Sequence, residues 1–130
     1  MPSRHEDWMR QAKRDLSHAR NALADADYEW SCFAAQQAAE KAVKAVFQKL
    51  HAEAWGHSIT ALLAKLAESS EVPKNLLDKA KELDKHYIPT RYPNGFDLGA
   101  PLDYYTEKEA KRSIANARDI LKFCEDILSE

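Results

Sequence analysis

Only three glycines occur in the 130 residues, at positions 56, 95 and 99, and none sits in a motif that cradles a phosphate. Classical mononucleotide and dinucleotide loops are therefore excluded. Cysteine is scarcer still. Cys32 and Cys124 fall on separate predicted helices, without a Cys-x-x-Cys partner or a histidine at ligand spacing, which favours two buried free thiols over a metal or redox site. No charge of one sign dominates, since 19 Lys and Arg face 21 Asp and Glu, so any nucleic-acid contact must come from a local patch. Long apolar runs are missing too. None approaches the roughly 20 residues that cross a bilayer, and the opening Met1-Pro2-Ser3-Arg4-His5-Glu6-Asp7 carries no apolar leader core. The expectation is a cytoplasmic protein with no membrane partner, folded as one domain over residues 1–130, because 45% hydrophobic against 31% charged residues suffice for a core at this length.

What is present is helical periodicity. Met9, Ala12, Leu16, Ala19 and Leu23 recur in steps of three and four, predicting a first helix over about Arg4 to Ala24. After Asp25-Ala26-Asp27, the alanine-rich stretch from Tyr28 to Leu50 has no glycine or proline and predicts one long helix. Gly56 separates it from a shorter helix with Ser58 as N-cap and Ile59, Leu62, Leu63 and Leu66 as the buried stripe. Pro73 suits the first turn of a fourth helix, where Leu76, Ala80, Leu83 and Tyr87 repeat until Pro89 stops it. A loop from about Ile88 to Tyr105 follows, carrying Pro89, Pro93 and Pro101 beside Tyr92, Phe96, Tyr104 and Tyr105; its aromatic content points to an ordered, docked segment. Thr106 and Glu109 form a capping box for the last helix, whose seam is Ile114, Ala117, Leu121, Cys124 and Leu128. The fold class expected is all-α, an up-and-down antiparallel bundle of four to five helices with one long loop before the last.

Candidate chemistry concentrates at the junction of helix and loop. His86, Tyr87, Thr90, Arg91 and Tyr92 lie together there, and arginine can grip a phosphate bidentately while tyrosine offers a stacking face to a base. The competing structural reading pairs Arg91 with a bundle carboxylate and leaves the tyrosines to seal the core. Lys44 and His57 are candidate polar contacts beside this site, and His57, at a helix entrance, reads equally as a hydrogen-bonded cap. His51 and His57 straddle a glycine break and lack regular ligand spacing, so neither a metal nor a cofactor is expected. On the second helix Phe33 and Phe47 fall within or beside a polar arc holding Gln36, Gln37, Glu40, Lys41, Lys44 and Gln48. Two such rings need a cover, from a loop of the same chain or from a partner.

The block Phe33-Ala34-Ala35-Gln36-Gln37-Ala38-Ala39-Glu40-Lys41-Ala42-Val43-Lys44, then Gly56-His57-Ser58-Ile59, then Tyr87-Ile88-Pro89-Thr90-Arg91-Tyr92-Pro93, resembles the HEPN domain family. With Trp8, Asp15-Leu16 and the long closing helix, the resemblance spans nearly the whole chain. It implies a helical bundle, a homodimer, nucleotide or RNA binding, and a minimal nucleotidyltransferase as partner in a prokaryotic toxin and antitoxin pair. Many members are metal-independent RNases marked by an arginine and, after four to six intervening residues, a histidine. This chain departs from that pattern. Arg14 and His18 have three residues between them, Arg10 and His18 seven, and no histidine follows His86. His86 and Arg91 have the spacing in reversed order. The catalytic candidates are accordingly His57, His86 and Arg91, and the readings carried forward are a nucleotide-binding or nucleotidyltransferase-associated module, a metal-independent RNase, and a non-catalytic dimeric scaffold with Phe33 and Phe47 as its contact.

Overall fold

The computed structural model describes residues 3–130; Met1 and Pro2, which open the stretch expected to lack a leader core, lie outside the described residues. Among the described residues six α-helices run in chain order: α1 His5–Ala24, α2 Tyr28–Lys49, α3 Ile59–Leu66, α4 Lys74–Asp84, α5 Pro101–Tyr104 and α6 Glu107–Leu128. Four of them are long enough to build a bundle; α5 is a single turn inside the loop.

Cross-links between the helices fix their directions. Ser31 donates to the Ala19 carbonyl and Lys41 pairs with Asp15, so α1 and α2 are antiparallel. Ser113 meets Cys32 while Lys49 reaches the Ile127 and Leu128 carbonyls, which makes α6 parallel to α2. Lys79 pairs with Asp119 and Arg112 with Glu82, so α4 runs against α6. Taken in chain order, the long helices therefore alternate in direction, as the expected up-and-down bundle requires. α2 is the axis, packed on α1, α6, α3 and α4. Its alanines, Ala35, Ala38, Ala39 and Ala42, are all fully buried and let α1 and α6 approach closely. Among the described residues no helix is long and apolar enough to cross a membrane.

Chain turns follow from local chemistry. Both α1 and α2 end with a left-handed residue, Ala26 (φ +62°) and His51 (φ +54°), after which Asp27 donates back to the Ala22 carbonyl and Ala52 to that of Phe47. That is the Schellman arrangement, which satisfies carbonyls the helix leaves free. His51 thus serves as a helix stop. Ser58 caps α3 by accepting from Ala61, as expected. A second cap comes from afar: the Asp84 carboxylate accepts from the Ile59 and Thr60 amides and the Thr60 hydroxyl, tying the end of α4 to the start of α3. Thr106 and Glu109 form the expected reciprocal box at the start of α6.

One boundary differs from expectation. α4 ends at Asp84 rather than running to Pro89, and the amides of Lys85, His86 and Tyr87 bond to carbonyls three residues back in a string of tight turns. Proline excludes Ile88 from helical geometry, and the tighter winding extends upstream from it. The carbonyls that this leaves behind are taken by side chains of the following segment: Thr90 Oγ1 donates to His86 at 2.7 Å, and Arg91 Nε and Nη2 both donate to Tyr87, at 3.0 and 2.7 Å. Thr90 is buried, so this part of the loop is docked on the bundle, in line with its aromatic content.

Candidate functional site

The Tyr87 carbonyl holds two of the five N–H groups of the Arg91 guanidinium, leaving three for a ligand. Its plane lies over aromatic rings, 4.4 Å from the Phe33 centroid, 4.8 Å from Tyr87 and 5.3 Å from Tyr92. Among the described residues no carboxylate pairs with Arg91, nor with the exposed Arg14 and Arg20 of α1, whereas Arg4, Arg10, Arg112 and Arg118 all face one. Arg91 is therefore not part of a bundle ion pair, and a half-buried cation stacked on aromatics is an arrangement in which guanidinium keeps its charge available to an anion.

His57 stacks on Tyr87, with ring centroids 4.5 Å apart and an interplanar angle of 18°. Its Nδ1 lies 3.1 Å from Glu40 Oε2. The same carboxylate receives Lys44 Nζ at 3.1 Å and Gln36 Nε2 at 3.1 Å. Gln36 is fully buried and Glu40 nearly so. Three donors converge on one carboxylate, so Glu40 acts as the acceptor throughout and His57 Nδ1 carries a proton. In the neutral ring the other nitrogen, Nε2, is then the acceptor, on a half-exposed side chain. Asp84 holds the chain on the far side of His57, since it binds the next residues, Ser58, Ile59 and Thr60.

Arg91, Tyr87, Tyr92, His57 and Lys44 thus form one contiguous row, with Phe33 beneath Arg91. His86 does not join it. Its ring lies 5.5 Å from that of Tyr105, with Nδ1 3.5 Å from the phenol oxygen, beside a cleft of about 190 Å³ bordered by Glu82, Lys85, Glu109 and Arg112. Phe47 is only 3% exposed and belongs to the core with Ile59, Leu62 and Leu63, so its cover comes from the same chain. Phe33 is half-buried between Arg91, Trp30 and Tyr87.

The model of the HEPN domain matches residues 5–127 of this sequence. The chain belongs to the HEPN domain family. Its likeness to solved structures is close: a protein of Thermus thermophilus shares 47% identity and a TM-score of 0.94 over 97% of this chain and 99% of that one. A HEPN domain protein of Thermotoga maritima shares 44% identity and a TM-score of 0.80, with 95% and 98% covered. A curated relative from Methanocaldococcus jannaschii, named "Putative toxin MJ1304", is 27% identical over 95% of this chain and 87% of its own length.

Within this HEPN chain the other sequence candidates are dispersed. Arg14 and His18 are exposed on α1. Burial of Cys32 raises its thiol to about 11, and burial raises Cys124 further, so both are inert as nucleophiles. Burial lowers His86 below its ordinary 6.5, although Glu109 and Glu82 pull it up; Lys85 adds to the lowering. The folded chain then keeps His86 neutral where the unfolded chain protonates it. Stability should accordingly rise with pH through the window below about 6.5, and fall on acidification as the unfolded state binds the extra proton. Thermal melts between pH 5 and 7 are expected to show a smaller slope in His86→Gln than in wild type; equal slopes would remove His86 from the acid response.

Proposed function

We propose that residues 1–130 act as one toxin-like HEPN module that binds a nucleotide or an RNA segment on the Arg91 row and works with a nucleotidyltransferase-type partner. The name of the Methanocaldococcus relative supports the toxin-like part. The observation that carries the binding part is an arginine freed of carboxylates and laid over Phe33, Tyr87 and Tyr92. Arg91 takes the phosphate. Tyr92, 48% exposed, offers its ring to the base, and His57 and Lys44 border the sugar side. A homodimer fits the exposed Trp30 beside Phe33 as its contact edge, in place of the buried Phe47. Calorimetric titration with ribonucleoside monophosphates and short RNAs is the test. Arg91→Ala is expected to weaken binding about tenfold or more, which is ~1.4 kcal/mol, with its melting temperature checked for the lost Tyr87 contact. No binding by wild type, or equal binding by the variant, overturns the assignment.

The Glu40–His57 pair supports a second reading, metal-independent RNA cleavage, with His57 as base in preference to His86. His57 Nε2 would take the proton of a 2′-hydroxyl as its oxygen attacks phosphorus; the P–O5′ bond breaks to leave a 2′,3′-cyclic phosphate, and the 5′ oxygen leaves with a proton relayed through water from the protonated His57, which returns to its neutral form. The same RNAs incubated in chelator should then be cut by His86→Ala but not by His57→Ala. Intact RNA with wild type removes this reading and leaves the binding site standing.

A further inference from the structure

Trp55 is 77% exposed, by far the most exposed of the three tryptophans, and the loop that carries it is tied by hydrogen bonds to its neighbours. Its indole N–H donates to Glu53 Oε2 at 3.1 Å, Lys65 Nζ donates to the Glu53 carbonyl at 3.2 Å, and Ala52 closes onto the end of α2. Gly56 then turns with φ +81°, a conformation that a side chain would strain, and brings the chain directly to His57. An indole hydrogen-bonded within its own loop and left facing solvent offers its ring to a flat ligand.

Trp55 forms one wall of a cleft of about 390 Å³ whose other walls are Trp8 of α1 and Lys44 and Gln48 of α2. That volume is within the range of small-ligand sites. Its chemistry is specific. Two indoles supply flat apolar surface, and one cation, Lys44, and one carboxylate, Glu53, leave the lining without net charge. Gln48 contributes an amide with both donors and an acceptor, which among the described residues makes no side-chain hydrogen bond of its own. Such a cleft suits an uncharged planar heteroaromatic ring better than a phosphate.

Its position says which ring. Lys44 lines this cleft and is also bonded to the Glu40 carboxylate that holds His57, while Trp55 is two residues from His57 along the chain. Two residues span at most about 7 Å, roughly the reach of one nucleotide in an extended strand. We propose that the Trp8–Trp55 cleft is a second base subsite, reached from the Arg91 row past His57, so that the ligand is a single strand of at least three nucleotides, with one base beside Tyr92, the next nucleotide along His57 and a further base against Trp55. The proposal rests on the nucleotide reading above and narrows it from a mononucleotide to a strand.

The probes are adenosine monophosphate and the trinucleotide of adenylate, titrated against wild type and Trp55→Ala with tryptophan fluorescence and calorimetry. Trp55 is so exposed that its removal should leave the melting temperature unchanged. Wild type is expected to bind the trinucleotide about tenfold more tightly than the monophosphate and to lose indole fluorescence on doing so. In Trp55→Ala that advantage should shrink to threefold or less with monophosphate affinity unaltered. Equal affinities of the two probes in wild type, or an undiminished advantage in the variant, overturn the second subsite while leaving the Arg91 site intact. Absence of binding by both probes overturns the two together. A change in sedimentation of Trp55→Ala without RNA assigns the cleft to a second copy of the chain and likewise overturns it.

Discussion

Phe47→Asp should leave a chain with no cooperative thermal transition, and not merely a monomer. Phe47 sits in the last turn of α2 with 3% of its surface exposed, in one apolar cluster with Ile59, Leu62, Leu63 and Leu66 of α3, and with Lys65 Nζ 5.9 Å above its ring. Truncating a buried phenylalanine costs about 3–5 kcal/mol. Aspartate adds a carboxylate with no partner in that cluster, which raises the cost further. Domains of this size are stable by only about 5–15 kcal/mol in total, so the substitution removes most or all of that margin. Circular dichroism melts and sedimentation of the same sample check it, with Phe47→Leu as a control expected to lose about 1 kcal/mol. A folded Phe47→Asp monomer beside a dimeric wild type would instead return Phe47 to a role between subunits.

The misplaced expectation for Phe47 shows where a helical wheel stops informing. The wheel separates apolar from polar arcs, but it does not count how many neighbours a helix will have. α2 is surrounded by α1, α6, α3 and α4, so residues on its polar arc, Gln36 and Glu40 among them, end up as deeply buried as the alanines opposite. A signal for this exists in the sequence. Gln36, Glu40 and Lys44 follow at steps of four on one line, and Gln36 and Glu40 both reach His57 some twenty residues on. A polar file of that kind on a helix so rich in alanine marks an internal network as readily as a solvated face. Asp84 carries a comparable signal. An acid at the last turn of a helix opposes the helix dipole, and it is held there because it caps a different helix, α3.

Where the chemistry is local, the sequence is sufficient. Ser58 and the Thr106 and Glu109 box mark their helix starts within a few residues of chain, and they form as spaced. The convergence of Arg91, Tyr87, His57 and Lys44 is not legible in the same way, because it depends on α4 being cut short. Had α4 continued to Pro89, the Tyr87 ring and carbonyl would have followed the helical path of Leu76, Ala80 and Leu83. The tight turns after Asp84 instead present that carbonyl to Arg91, and His57 stacks against the Tyr87 ring. Helix length is a tertiary outcome here, and periodicity over Leu76, Ala80, Leu83 and Tyr87 could not report it.

The residue that binds this network together, Glu40, gives the second large effect and separates stability from function. Glu40→Ala strands Lys44, whose side chain is only 14% exposed, and removes the acceptor of Gln36 and of His57. Breaking one side of such a buried pair costs about 3–5 kcal/mol. Replacing both partners, in Glu40→Met with Lys44→Met, removes the stranded charge, so denaturant unfolding should show the double variant recovering at least half of what Glu40→Met alone loses. Ligand binding should not recover with it. His57 loses the carboxylate that fixes its protonated nitrogen in both variants, and the Trp8–Trp55 cleft loses its cation in the double one. A double variant that regains both stability and full affinity for short RNA would reduce Glu40 and Lys44 to packing, and would leave Arg91 as the one charged group of the site.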